Sequence, residues 1–176
     1  MKPLHKNPSS LRLVPEQPLP PYSFVPGLFP HPTSDPTGHS FGKEHTPPAP
    51  LDPQQWAVSK PYLYGVDLFN HQYYWESHEQ FEALWLAAGR KGPVADLLKG
   101  LIKLAASGVK HREGKPPGVH SHADRAAKLF RNVARSLKLE KEPFLGLRID
   151  ELVDLADHMA REGWPARWPV LQVHFE

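Results

Sequence analysis

The spacing of apolar residues changes character at Val66. Downstream, large apolar side chains recur every three or four positions, the period of an α-helix; upstream they stand isolated among prolines. In the first periodic stretch Phe69, Tyr73, Tyr74, Phe81, Leu84 and Trp85 cover one broad face, which predicts a helix stopped by Gly89 and Gly92-Pro93. A second helix is predicted from Pro93 through "VADLLKGLIKLAASGVKHREG". There Leu97, Leu101, Leu104 and Gly108 form one stripe, and Leu98, Ile102, Ala105 and Val109 a second beside it, as suits a helix buried on two sides. The turn "GKPPG" at 114–118 leads to a third helix with Ala123, Ala126, Ala127, Phe130, Val133, Ala134 and Leu137 inward. A fourth starts near Asp150, read as its N-cap, carries Leu152, Leu155, Ala156 and Met159 inward, and stops at Gly163. The pattern therefore predicts an all-α fold, a small antiparallel bundle of about four helices, over residues 66–163.

The flanks differ. Fifteen of the 21 prolines fall in residues 1–65, where no helix of useful length is expected. Yet the same segment holds Tyr22, Phe24, Val25, Leu28, Phe29, Phe41, Trp56, Tyr62 and Tyr64, too much apolar surface for a solvated linker. Residues 1–65 are read as a long extended arm packed on the body, and residues 164–176, ending "PVLQVHFE", as an extended tail. Within the arm, "VPGLFPHPTSDPTGHSFG" sets His31 and His39 among turns, where they pair with carbonyls; whether either joins chemistry on the body stays open.

Composition narrows the classes. With 176 residues, 40% apolar and 23% charged, the chain can form one globular core. A net charge of +2 with no basic run argues against a nucleic-acid partner. Zero cysteines exclude disulfides, thiolate zinc and a cysteine nucleophile, leaving eleven histidines and the carboxylates as ligands. The N-terminus lacks the apolar core of a signal peptide, and no run of about eighteen apolar residues occurs, so no membrane association and a cytoplasmic location are expected.

"YYWESHEQFEALW", residues 73–85, combines rings with ionisable groups. With Glu76 at zero on a helical wheel, His78 falls near about 200°, His71 about 220°, Glu82 about 240° and Glu79 about 300°, so one helix cannot aim all of them at one atom. His78 and Glu82 are an i, i+4 pair; further groups must come from elsewhere, and His111, His120 or His122 stand at the right end of the bundle. The candidate polar site is Glu76, His78, Glu79, Glu82, Lys103, His111 and His122, with His78, Glu79 and His111 as candidate ligands of a divalent metal. Lys103 lies in an otherwise apolar helix, where it would neutralise a carboxylate. Lys99 and Lys110 extend it as a solvated stripe, Trp85 is expected in the core, and Asn70 is a candidate cap. Ser77 beside His78 is no catalytic pair, because adjacent helical residues point apart.

"LFNHQYYWESHEQFEALW" followed by "LLKGLIKLAASGVKHREGKPPGVHSHADRAAKLF" resembles the domain of unknown function 309 family: a Phe-Asn start, a Glu-x-His-Glu-x-x-Glu-x-x-Trp helix, a Gly-Leu-Ile helix and a histidine near its end. The likeness covers about residues 66–137. Where many members have Asn after the glycine that follows the second helix, this chain has Gly114-Lys115-Pro116-Pro117. The resemblance implies a small helical bundle and no established activity.

Two readings follow. One is a structural or ligand-binding domain whose buried Glu/His network fixes helix register, with a small molecule, a protein or a second copy of the chain as partner. The alternative is a metal-assisted or acid–base hydrolase using Glu76, His78, Glu79 and His111.

Overall fold

The computed structural model describes residues 11–44 and 46–175; the first ten residues of the expected arm lie outside them. Five α-helices follow one another, α1 (Lys60–Asn70), α2 (Tyr74–Ala87), α3 (Pro93–Arg112), α4 (Pro116–Leu137) and α5 (Ile149–Glu162), preceded by a 3-10 turn at Trp56–Val58. Each packs on the next, and no strand occurs among the described residues.

The all-α expectation holds, with five helices rather than four. Two physical reasons account for the difference. Pro61 does not forbid a helix: it sits in the first turn of α1, where the missing N–H would be unpaired anyway, so the helix begins at Lys60 rather than Val66. The expected first helix is also broken at 71–73. Gln72 takes a left-handed φ of 69°, its N–H donates to Phe69 O at 2.9 Å, and Tyr73 N–H donates to Leu68 O at 2.8 Å. That paired bonding closes a helix end, a role usually filled by glycine. Asn70 therefore ends α1 rather than capping the following helix. Asp150 is likewise not an N-cap: Arg148 holds that position, and Asp150, in the first turn of α5, pairs with its guanidinium at 2.7 and 3.0 Å.

Helix α3 is the centre of the bundle. All eight residues of its two predicted stripes are buried. Two glycines of α3 let rings approach the backbone: a Cβ on Gly100 would lie 2.3 Å from the Phe130 ring, and one on Gly108 would lie 2.5 Å from the Tyr74 ring. The third predicted stripe also faces inward, with Ala123, Ala126, Ala127, Phe130 and Val133 buried on α4. Trp85 is only half-buried, its ring flanked by Arg90 and Lys99 at 5.4 and 5.2 Å from the centroid, a cation–π arrangement at the surface.

The non-helical segments are strapped to α1. Asp67 is 1% exposed and accepts hydrogen bonds from Arg12 Nε at 2.9 Å, Leu13 N at 2.8 Å and Val14 N at 2.9 Å. One turn later Asn70 pairs with the backbone of Leu171, donating at 3.0 Å and accepting at 2.7 Å. Val14, Phe24, Val25 and Leu51 of the segment before α1 are buried, whereas Leu28 and Phe41, expected to help anchor it, are 63% and 49% exposed. Near the C-terminus, Phe175 stacks on Trp56 with centroids 5.3 Å apart.

Candidate functional site

Helix α2 carries the ionisable groups, and its N-terminal turn fixes where each points. Ser77, fully buried, donates to Gly65 O at 2.9 Å and locks α2 against α1. With that contact set, Glu76 and His78 fall on opposite sides of the helix, and the candidate site divides.

On one side stands Glu76, 6% exposed. Its Oε1 accepts Phe24 N–H at 2.8 Å and lies 3.1 Å from His39 Nε2. His39 Nδ1 in turn lies 2.9 Å from Ser40 Oγ, and the neighbouring Ser23 hydroxyl donates to Gln72 O at 2.8 Å. Burial pushes the Glu76 carboxyl above the usual carboxylate range, against the opposing pull of its hydrogen bonds to Phe24 and His39. His39 thus joins the polar chemistry of the body rather than merely capping a turn. His31 does cap one: its Nδ1 accepts Thr33 N and Ser34 N at 3.4 and 3.3 Å, while its ring meets Trp75 edge-on at 5.3 Å.

On the other side His78, Glu79 and Glu82 come together, with one ligand-type atom of each lying within 4.8 Å of the others. His78 Nδ1 lies 3.2 Å from Glu79 Oε1, and the two side chains are 26% and 46% exposed. Two ligands on one ion at about 2.1 Å can be separated by at most about 4.2 Å, so small side-chain rotations bring all three atoms onto a shared ion. His122 adjoins them from α4. Its pKa is lowered by burial first and then by the positive fields of Lys103, Arg125, Lys110 and His78. Its Nδ1 is buried and makes no hydrogen bond among the described residues.

Lys103 therefore acts on a histidine rather than pairing with Glu79 or Glu82. His111 is set apart from the triad: it stacks on Trp164 with centroids 4.8 Å apart and an interplanar angle of 11°, and meets Trp168 edge-on at 6.2 Å. Burial and Arg112 lower its pKa. Of the candidate ligands His78, Glu79 and His111, two stand together, and Glu82 takes the third place. His120, weighed as a neighbour of His111, binds Ala160 O at 2.9 Å instead.

Two groups were not legible as site residues beforehand. Asp67 is a lone carboxylate inside the apolar run "YLYGVDLFN", and that isolation was its only signal. Ser40 had none, because its link to the body runs through His39, whose partner Glu76 is 37 positions from that histidine.

In comparison with known protein families, residues 62–121 fit the family described as Domain of unknown function (DUF309). No curated protein matches the chain. The matched segment takes in α1, α2, α3 and the start of α4, so Glu76, His78, Glu79, Glu82, Lys103 and His111 lie inside it and His122 one residue beyond. The resemblance drawn from the Glu-x-His-Glu and Gly-Leu-Ile motifs is borne out, and no helix of the described residues is long and apolar enough to cross a membrane.

Proposed function

We propose that this chain, whose residues 62–121 form a DUF309 domain, is a ligand-binding helical domain holding a divalent cation on His78, Glu79 and Glu82. The observation that carries this reading is the convergence of one imidazole and two carboxylates within 4.8 Å on an accessible helix face. A mixed nitrogen and oxygen set suits zinc, manganese, cobalt or nickel better than calcium. The buried Nδ1 of His122 on α4, which makes no hydrogen bond among the described residues and whose lowered pKa favours the neutral ring, is a further nitrogen within the electrostatic reach of His78. In this reading Glu76 stands outside the cation set, the described segments before α1 and after α5 serve as straps, and α1 to α5 form the binding body.

Purified without a histidine tag and titrated with zinc or manganese, the protein is expected to gain about 2.7 kcal/mol at a free ion concentration of about 100 Kd. For a chain of this length that is a rise of roughly 5–10 °C in Tm. His78→Ala and Glu82→Ala abolish the rise, while His111→Ala leaves it. Because His78 is partly exposed and, among the described residues, bonds only to its neighbour Glu79, the ion-free stability of His78→Ala stays within about 0.5 kcal/mol of the parent. No ion-dependent rise in Tm, or a rise unaffected by either triad substitution, defeats the reading.

Metal-assisted hydrolysis is kept as a second reading for one reason: the buried His122 Nδ1 makes no hydrogen bond among the described residues and could serve as a base. Its test is hydrolysis of an activated phosphodiester that needs the ion and is lost in His122→Asn with ion affinity unchanged.

A further inference from the structure

The other side of α2 holds a second arrangement, which shares no residue with the cation set. We propose that Ser40, His39 and Glu76 form a nucleophilic relay that accepts the acyl group of an activated ester with an apolar acyl chain.

The geometry begins at the buried end. With Glu76 ionised and His39 neutral, Oε1 is an acceptor and the His39 Nε2 that lies 3.1 Å from it carries the imidazole hydrogen. Nδ1 is then the lone-pair nitrogen, and the Ser40 hydroxyl, 2.9 Å away, donates to it. A nucleophile bonded to a base, with the base oriented by a third group, is the general arrangement of hydroxyl activation. Glu76 is the positioning residue, held in turn by Phe24 N–H at 2.8 Å.

The turn around Ser40 is rigidly built. Ser40 N–H donates to Pro32 O at 2.9 Å, Phe41 N–H to Gly38 O at 3.1 Å and Gly38 N–H to Asp35 O at 2.8 Å. His39 is fixed twice: its backbone N–H donates to the Tyr22 hydroxyl at 3.3 Å, and the Tyr22 ring meets the imidazole edge-on at 4.7 Å. Phe29 stacks on Tyr22 at 5.2 Å and Phe41, next to Ser40, is 49% exposed. Exposure runs from the buried carboxylate to a half-buried serine beside these rings, which favour an apolar acyl group over a charged one.

The chemistry balances with water as the only co-reactant. Ser40 Oγ attacks the ester carbonyl carbon as its proton passes to His39 Nδ1, and that proton goes to the leaving alkoxide as the ester C–O bond breaks. Water then attacks the acyl-serine, giving its proton to Nδ1; the regenerated Ser40 oxygen takes it back and the carboxylic acid departs.

The test uses the full chain in excess EDTA, so that no bound ion contributes and its failure is separate from failure of the cation reading. An alkyl fluorophosphonate is the probe, with peptide mass spectrometry as the readout. The expected result is a phosphonyl group on Ser40, formed about 10²-fold or more faster than on a free peptide of residues 36–44, the factor a positioned base supplies. His39→Gln should lose that factor, and Glu76→Gln, whose amide can donate to Nε2 and reverse the tautomer, should slow labelling at least roughly tenfold. Wild-type protein alone can overturn the proposal, independent of whether those variants fold: Ser40 unlabelled, or labelled no faster than the peptide, ends it. So does labelling of a folded His39→Gln variant at the wild-type rate.

Discussion

Asp67→Ala lowers the unfolding free energy by about 3–5 kcal/mol, the range for removing one partner of a buried charged pair. The carboxylate is 1% exposed and accepts from the backbone N–H groups of Leu13 and Val14, as well as pairing with the Arg12 guanidinium. Alanine leaves two backbone donors facing apolar side chains and a guanidinium without its counter-charge, although Arg12 still reaches the carbonyls of Val14 and Gln17. Asp67→Asn recovers little, because its amide keeps one acceptor and turns a donor toward donors. Arg12→Ala should cost less than either, since both backbone bonds survive. Urea unfolding followed by circular dichroism measures the loss, and limited proteolysis should show new cuts before residue 60. A loss below about 1 kcal/mol would mean that this strap contributes little.

The second large effect lies where α4 packs on Gly100 of α3. Phe130 is fully buried on α4, its ring over the bare backbone of Gly100. Phe130→Ala is expected to cost about 3–5 kcal/mol through lost burial and the cavity left behind. Gly100→Ala drives a methyl into the same ring and should cost about 1–3 kcal/mol by overpacking. The two sites are one contact, so they cannot be additive: Gly100→Ala combined with Phe130→Leu should be more stable than the sum of the single losses by at least about 0.5 kcal/mol. Additive losses in the double variant would contradict the direct contact.

Periodicity made most of the helical body legible. The two stripes of α3 and the inward face of α4 were readable because each is a local property of consecutive turns. What escaped was set by single atoms or by distant partners. Pro61 looked like a barrier to helix although its position in the first turn made it compatible. The break after Asn70 rests on Gln72, whose left-handed backbone has no sequence mark of the kind glycine gives. The wheel placed Glu76 opposite His78, yet the partner of Glu76 lies in the arm and could not be named. His111 was drawn toward the cluster by its place at the end of α3, and the ring that holds it, Trp164, comes from beyond the last helix. The acid, base and hydroxyl of the arm side therefore required the fold, whereas His78 and Glu82 were already paired by their spacing.

The straps on α1 also govern how quickly the molecule assembles and comes apart. Asp67 reaches back 53–55 positions and Asn70 forward 101, whereas the packing of α2 through α5 joins sequence neighbours. Closing the long loops costs chain entropy before any reward arrives, so the successive helices should condense first and the two ends dock last. Contacts made after the barrier change escape rather than formation: Asp67→Ala should speed unfolding by most of its equilibrium effect and leave the refolding rate nearly that of the parent. The ends of the chain would then act as its kinetic lock, setting how long the folded molecule lasts.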